Sequence, residues 1–555
     1  EFFSDYGTYE VSLDLPERYE DKVGGSGVLT RTHQAGKDRV MVNFEAPSEE
    51  DRARLDRTGK APRIHDFTWT ADPKFEVHEF TFRWSDWTKD WAQEIEEVQE
   101  ALGDTKDLTL RDVQVTVLIQ PERADQAERH FDATASALFF YGLWFGEYPY
   151  EHITVVDPAW GAGAAGGMEY PTIFTCGTSM GTEVAMHRPE SVTVHECGHQ
   201  FFYGLVGTNE FEHAWMDEGL NSYADSEVLW RRYGPSRASK RYSMLPVWGT
   251  DLTPTEGGGP VLAALSGRKV PLDVLGVTVE PLGRSGLLDW WCDQPLLSLS
   301  PQHTDPRWGD RAGYLRDPDG DPVDTAAWQY HDRGSYRCNS YPRPAVVLRS
   351  LEGLVGRDVF LRGMRHYSET WRYRHPDPDD FFTAFNEGAG VDMSWYFDEL
   401  FRGTGTVDWQ VEVDQKAVKP AEGLFPGEDG AYAERETEAD VGGWHAEVTI
   451  HRKGTLRLPV VIQVTLADGT SERFTWTREQ QAAQSWVRRE FQGHEKVVAV
   501  EVDPEIDGDR RWYLDTDMSN NQWFDEVDEV APLRWSERVF SRIVPNLHWH
   551  MGIGG

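Results

Sequence analysis

Cysteine is scarce in this chain. Four residues in 555 are cysteine, Cys176, Cys197, Cys292 and Cys338, and no Cys-x-x-Cys pair occurs. This excludes a disulfide-dense scaffold and leaves a single bridge open. Long apolar runs are absent too. No stretch of 18 apolar residues exists, so no segment reads as a membrane-spanning helix. No signal-peptide pattern is present either. The chain begins Glu1-Phe2-Phe3 rather than with Met, which reads as a processed or truncated product. Positive charge is the third shortage. Lys and Arg total 55 against 94 Asp and Glu, a formal net charge of −39. Such a chain repels phosphate backbones and anionic headgroups, which argues against nucleic acid as a partner. Only about 12 of the basic residues are lysine. Abundant acids with little lysine fit a hydrated acidic surface or adaptation to a halophilic source.

Core-forming material is plentiful. Hydrophobic residues make up 39% and aromatics 12%, with 23 Trp. At roughly 100–200 residues per domain the length predicts three to five domains. Residues 1–120 read as an antiparallel β-sheet domain, with clean alternation in Tyr9–Leu15 and Asp112–Ile119. From 121 to 405 the pattern is mixed. The spacing predicts a helix over Ala124–Leu143, a short buried strand at Ile153–Val156, and helices over 189–234 and 342–402. Within this segment, 235–335 is rich in Gly, Pro, Asp and Trp and only weakly periodic, and reads as an insertion. Strands return over 406–518 with turn signals between them, the pattern of a β-sandwich. Residues 519–555 read as a tail in which Val539, Phe540, Ile543 and Val544 form one face of a helix. The fold class expected is therefore α+β and multidomain.

The chemistry concentrates in His195-Glu196-Cys197-Gly198-His199. Pro189-Glu190 suits the first turn of a helix. On that helix His195 and His199 lie on one face, so both imidazoles reach one zinc ion. Glu196 projects beside the metal, placed to take a proton from a metal-activated water. A catalytic zinc site needs a third protein ligand. Glu218, separated from His199 by eighteen residues and standing in Trp215-Met216-Asp217-Glu218-Gly219, supplies it from the next helix. Upstream, Gly166-Gly167-Met168-Glu169 follows a glycine run. Gly166 and Gly167 permit close backbone approach to a ligand, Met168 leads a strand edge able to pair with an extended peptide, and Glu169 is read as the anchor of a substrate ammonium. A phenol donor near the metal would stabilise an oxyanion. Tyr330, Tyr336 and Tyr341 all qualify on chemistry alone.

Together these motifs resemble the aminopeptidase N and leukotriene hydrolase family of zinc metallopeptidases, of the gluzincin type, over roughly residues 1–515. The resemblance implies an N-terminal β-domain that is incomplete here, a thermolysin-like catalytic domain and a C-terminal β-sandwich. By position it implies zinc on His195, His199 and Glu218, Glu196 as general base, Glu169 at the substrate amine, and Tyr341 as the oxyanion donor. Tyr170 departs from the family's Asn, and Pro342 beside Tyr341 is unusual. A second amine-binding residue is expected upstream of residue 1. The activity implied is removal of N-terminal residues from peptides that carry a free N-terminus. The alternatives are a catalytically silent scaffold and a zinc hydrolase of small electrophiles such as epoxides. The expected partners are a separate N-terminal fragment of the same precursor or a homo-oligomer, and the expected location is extracytoplasmic, periplasmic or secreted.

Overall fold

The computed structural model describes residues 3–103, 107–159, 162, 165–177, 184, 187–237, 239–242, 245–248, 272–274, 277–279, 303–418, 423–426, 430–435, 443–505 and 512–526. The chain divides into two compact units. Among the described residues, one is built from those up to Asp317 with Asp321–Arg402, the other from Gly403 to Glu526 with Pro318–Gly320.

The first unit opens with β1 (Tyr9–Pro16), β2 (Val23–Gly25), β3 (Val28–Gly36), β4 (Arg39–Ala46) and β5 (Trp69–Ala71). β1, β4 and β3 form an antiparallel sheet in that order, and β2 pairs with β5. In β4, Val40, Val42 and Phe44 point into the core while their neighbours are more exposed, the period-two burial of a half-covered strand. A second sheet runs β6 (Glu76–Phe82), β7 (Val113–Ile119), β8 (His152–Val156) and β9 (Ile173–Thr175). β6 lies antiparallel to β7, whereas β7–β8 and β8–β9 are parallel. The expected boundary at residue 120 therefore falls inside a sheet. β7 pairs with β6 on one side and on the other with β8, which leads to the candidate site. Alternation marks a strand but says nothing about its partner.

Helix α1 (Ala92–Leu102) is followed by α2 (Ala127–Phe145), which is buried over almost its whole circumference. A helix apolar all round lies within a core. Beside it stand α3 (Arg188–Gly198) and α4 (Glu210–Tyr233). Short antiparallel pairs follow, Ser236–Arg237 with His303–Thr304, Ser239–Tyr242 with Leu245–Trp248, and Leu272–Val274 with Val277–Val279. Next come α5 (Pro306–Tyr314), α6 (Arg333–Ser340), α7 (Pro342–Val355), α8 (Arg357–Thr370), α9 (Pro378–Ala389) and α10 (Ser394–Leu400). α5 falls within the stretch 235–335 that reads as an insertion. α5 packs on α4 and α7, and Tyr314 and Val323 are buried.

The second unit holds two larger antiparallel sheets besides the two-stranded pair of Gly423–Pro426 with Tyr432–Arg435. One contains β10 (Trp409–Ala417), β11 (Trp444–Arg452) and β14 (Trp486–Gly493), in the order β10-β11-β14. The other contains β12 (Val460–Leu466), β13 (Ser471–Trp476), β15 (Val497–Val502) and β16 (Gln522–Phe524), in the order β13-β12-β15-β16. Trp409, Trp476 and Trp512 are fully buried within this unit. The expected tail helix with Val539, Phe540, Ile543 and Val544 lies outside the described residues, as does Cys292. Cys176, Cys197 and Cys338 are buried and unbridged. Among the described residues no helix is long and apolar enough to cross a membrane.

Candidate active site

α3 carries Pro189 and Glu190 in its first turn, as Pro and an acid favour at a helix start. Arg129 of α2 grips Glu190 with two hydrogen bonds, at 2.6 and 2.8 Å. At the other end α3 is locked to α4. Asn221 Nδ2 donates to the His195 carbonyl at 2.8 Å, and Tyr141 OH donates to Asn221 Oδ1 at 2.6 Å. Gly198 makes this approach possible, because a Cβ there would lie 2.0 Å from Asn221 Oδ1 and 2.4 Å from the Tyr141 hydroxyl.

The result is a triangle of donor atoms. His195 Nε2 and His199 Nε2 are 3.1 Å apart, and Glu218 Oε2 is 3.2 Å from each. Ligands at about 2.0–2.1 Å from a tetrahedral zinc ion lie about 3.3 Å from one another, so the donor set fits that ion. The outer ring nitrogens are committed. His195 Nδ1 pairs with Asp225 Oδ2 at 2.7 Å and His199 Nδ1 with Asp217 Oδ1 at 2.5 Å, which turns both Nε2 atoms to the centre. Neither aspartate was identified from the sequence alone. Asp225 lies seven residues after Glu218, two turns along α4, which was the available signal. Burial works against both imidazolium forms, yet the surrounding carboxylates hold both imidazoles well above their ordinary pKa. The cluster is one that demands positive charge at its centre.

Glu196 sits beside this triangle, 5% exposed, with Oε2 buried and without a hydrogen bond. Burial pushes its carboxyl up to about 8 against the opposing pull of His195 and His199. Gly167 adopts φ +67°, and a Cβ there would stand 3.4 Å from Glu196 Oε1. The backbone at 167–168 is held on the sheet edge. Gly167 N–H donates to the Thr175 carbonyl at 2.9 Å, and Thr175 N–H returns a bond to the Met168 carbonyl at 2.8 Å. Gly166 follows the same edge, where a Cβ would meet the Cys176 carbonyl at 3.1 Å. Tyr170 packs against Phe75, Leu118, Val156 and Ile173, an anchoring role for this segment.

Glu169 is buried and belongs to two clusters. With Glu196 and His199 it offers ligand atoms that all lie within 4.8 Å of one another, and so it does with Glu210 and Asp217. Burial raises the carboxyls of Glu169 and Asp217 to about 7 each, and neighbouring carboxylates add to the effect. Glu210, in the first turn of α4, was not identified from the sequence. Of the three tyrosines, Tyr341 reaches the centre. Its hydroxyl donates to Glu218 Oε1 at 2.5 Å and its ring stacks on His195 with centroids 6.1 Å apart. Tyr330 instead donates to the Val323 carbonyl at 2.7 Å. Pro342 occupies the first turn of α7, a position proline favours, so it starts a helix immediately after Tyr341.

No family model matches the chain. In sequence it is similar to a probable aminopeptidase 2 of Sulfurisphaera tokodaii, with 20% identity over 394 residues, 70% of this chain and 41% of the relative. It is also similar to a leucine aminopeptidase 2-1 of Meyerozyma guilliermondii, with 22% identity over 262 residues, 47% of this chain and 32% of the relative. The chain thus spans less than half the length of the curated relatives it matches. In structure it is similar to Legionella pneumophila aminopeptidase A, solved with aspartic acid. The TM-score is 0.51 at 11% identity, over 90% of this chain and 43% of that one. The mixed α+β fold and the resemblance to aminopeptidases are common to sequence and structure.

Proposed function

We propose that the chain carries the catalytic part of a zinc-dependent aminopeptidase. The observation that supports this most is the His195–His199–Glu218 triangle with the unpaired Glu196 carboxylate beside it. The names of the sequence relatives agree with it. Zinc bound by the triangle would supply Lewis acidity and a water of near-neutral pKa.

The remaining work falls to side chains of this chain. Glu169, with Glu210 and Asp217 beside it, would hold the substrate ammonium, whose three N–H donors match three carboxylates. Glu210 lies outside the quoted motifs and would serve as an amine anchor within the chain, beside the one expected upstream of residue 1. Glu196 would accept the proton of the attacking water and return it to the leaving amine. A carboxyl with raised proton affinity suits a group that both takes and gives. Tyr341 would turn its hydroxyl from Glu218 to the developing oxyanion. The strand edge at Gly166–Met168 would align the peptide backbone. Replacement of Glu196 by Gln tests the reading. The variant should keep its zinc and lose turnover of free-amine substrates, and retained turnover would refute it.

A further inference from the structure

A cavity of about 870 Å³ opens beside Tyr341, between α5 and α6. Its walls carry three guanidinium groups, Arg316, Arg333 and Arg337. On α6, Arg333, Arg337 and the capping Tyr341 follow at intervals of four, which puts them on one helix face. A rise of 1.5 Å per residue places Arg337 about 6 Å and Arg333 about 12 Å along the axis from Tyr341. None of the three arginines has an ion pair among the described residues, in a chain with a net charge of −39. Two carboxylates also line the space, Asp317 and Asp332. Asp332 is engaged as the cap of α6, accepting from the Ser335 N–H at 2.9 Å, and lies 3.6 Å from His331. His331 in turn pairs with Asp321 at 2.7 Å. Three arginines therefore outnumber the two carboxylates that line the cavity.

We infer that this cavity binds a carboxylate on the leaving-group side of a peptide substrate. The inference rests on the peptidase reading above. Tyr341 lines the cavity, whereas Gly166, Gly167 and Glu169 do not. The amine-anchoring residues thus lie outside the cavity, which meets the candidate site at Tyr341. An extended peptide laid along α6, advancing about 3.3 Å per residue, would bring groups roughly two and four residues beyond the scissile bond to Arg337 and Arg333. The planar guanidinium fork matches a carboxylate with two parallel hydrogen bonds. An acidic side chain and a C-terminal carboxylate share this chemistry.

The test uses free-amine peptides of equal length in three forms: neutral with an amidated C-terminus, the same with Glu at the third residue after the scissile bond, and neutral with a free C-terminus. Binding is read by fluorescence anisotropy on the Glu196→Gln chain, so that it does not depend on turnover. Cleavage is read on the unaltered chain, with a short amino-acid amide as reference. A carboxylate should tighten binding about five- to tenfold at low salt and lose most of that gain in 0.5 M salt. The R316Q/R333Q/R337Q variant should bind all three forms alike. Preference for the Glu form or for the free C-terminus identifies the source of the carboxylate. Equal binding of all three by the unaltered arginines would overturn the inference, as would a preference that survives the triple substitution. Failure to cleave the amide would count against the peptidase reading alone, because the anisotropy comparison stands without it.

Discussion

Replacing Gly198 by Ala should disable the site by forcing α3 away from α4. The new methyl would lie 2.0 Å from Asn221 Oδ1, so that oxygen must retreat about 1.4 Å to reach an ordinary contact of about 3.4 Å. Asn221 is fully buried, and its amide holds both the His195 carbonyl and the Tyr141 hydroxyl. Each hydrogen bond lost contributes about 1 kcal/mol, and overpacking adds about 1–3 kcal/mol. The expected loss is about 3–5 kcal/mol of stability for the first unit. Urea unfolding followed by tryptophan fluorescence measures it, with turnover recorded in parallel. A second variant, Gly198→Ala with Asn221→Ala, removes the nearest clashing atom and should recover part of the packing loss, although it forfeits the hydrogen bonds. A Gly198→Ala protein within about 0.5 kcal/mol of its parent would refute the argument from close approach.

Three other perturbations address separate parts of the account. Asp225→Asn weakens the partner that orients His195, and should loosen zinc by about 10- to 100-fold in competition with a chromophoric chelator; unchanged affinity would deny Asp225 that role. Glu210→Gln should raise KM for free-amine substrates more than it lowers kcat, and should narrow the preference for free over acetylated amines; an unaltered ratio would remove Glu210 from the amine site. His130 is fully buried, with burial lowering its pKa to about 4. The unfolded chain, near 6.5, binds the proton first, so stability should fall as pH drops from about 6.5 to 4, by at most about 3 kcal/mol. His130→Gln should flatten that slope in urea titrations at pH 7, 5.5 and 4.5, and parallel slopes would contradict it.

Much of the centre is legible in the sequence because helical spacing is local. His195 and His199 share a face by their separation alone, and Glu218 completes the set from the motif that contains it. What escapes is partnership across elements. Asp225 and Asn221 lie on α4 at positions where periodicity gives a face but not the group that meets it. Glu210 is an ordinary acid in a first helical turn until α4 brings it beside Glu169. The pairing of β7 with β8 is hidden for the same reason, since β7 alternates identically whichever sheet it joins. Weak periodicity over 305–335 hides α5, although Asp305-Pro306 is a helix start and Asp305 caps α5.

The central claim is tested most directly by hydrolysis of paired fluorogenic amino-acid amides, one member with a free amine and one acetylated, before and after zinc is removed by a chelator and restored. The free-amine member should be cleaved, with cleavage lost on zinc removal and regained on its return, and the acetylated member should stay intact. Cleavage that persists without zinc, or that treats both members alike, would contradict it.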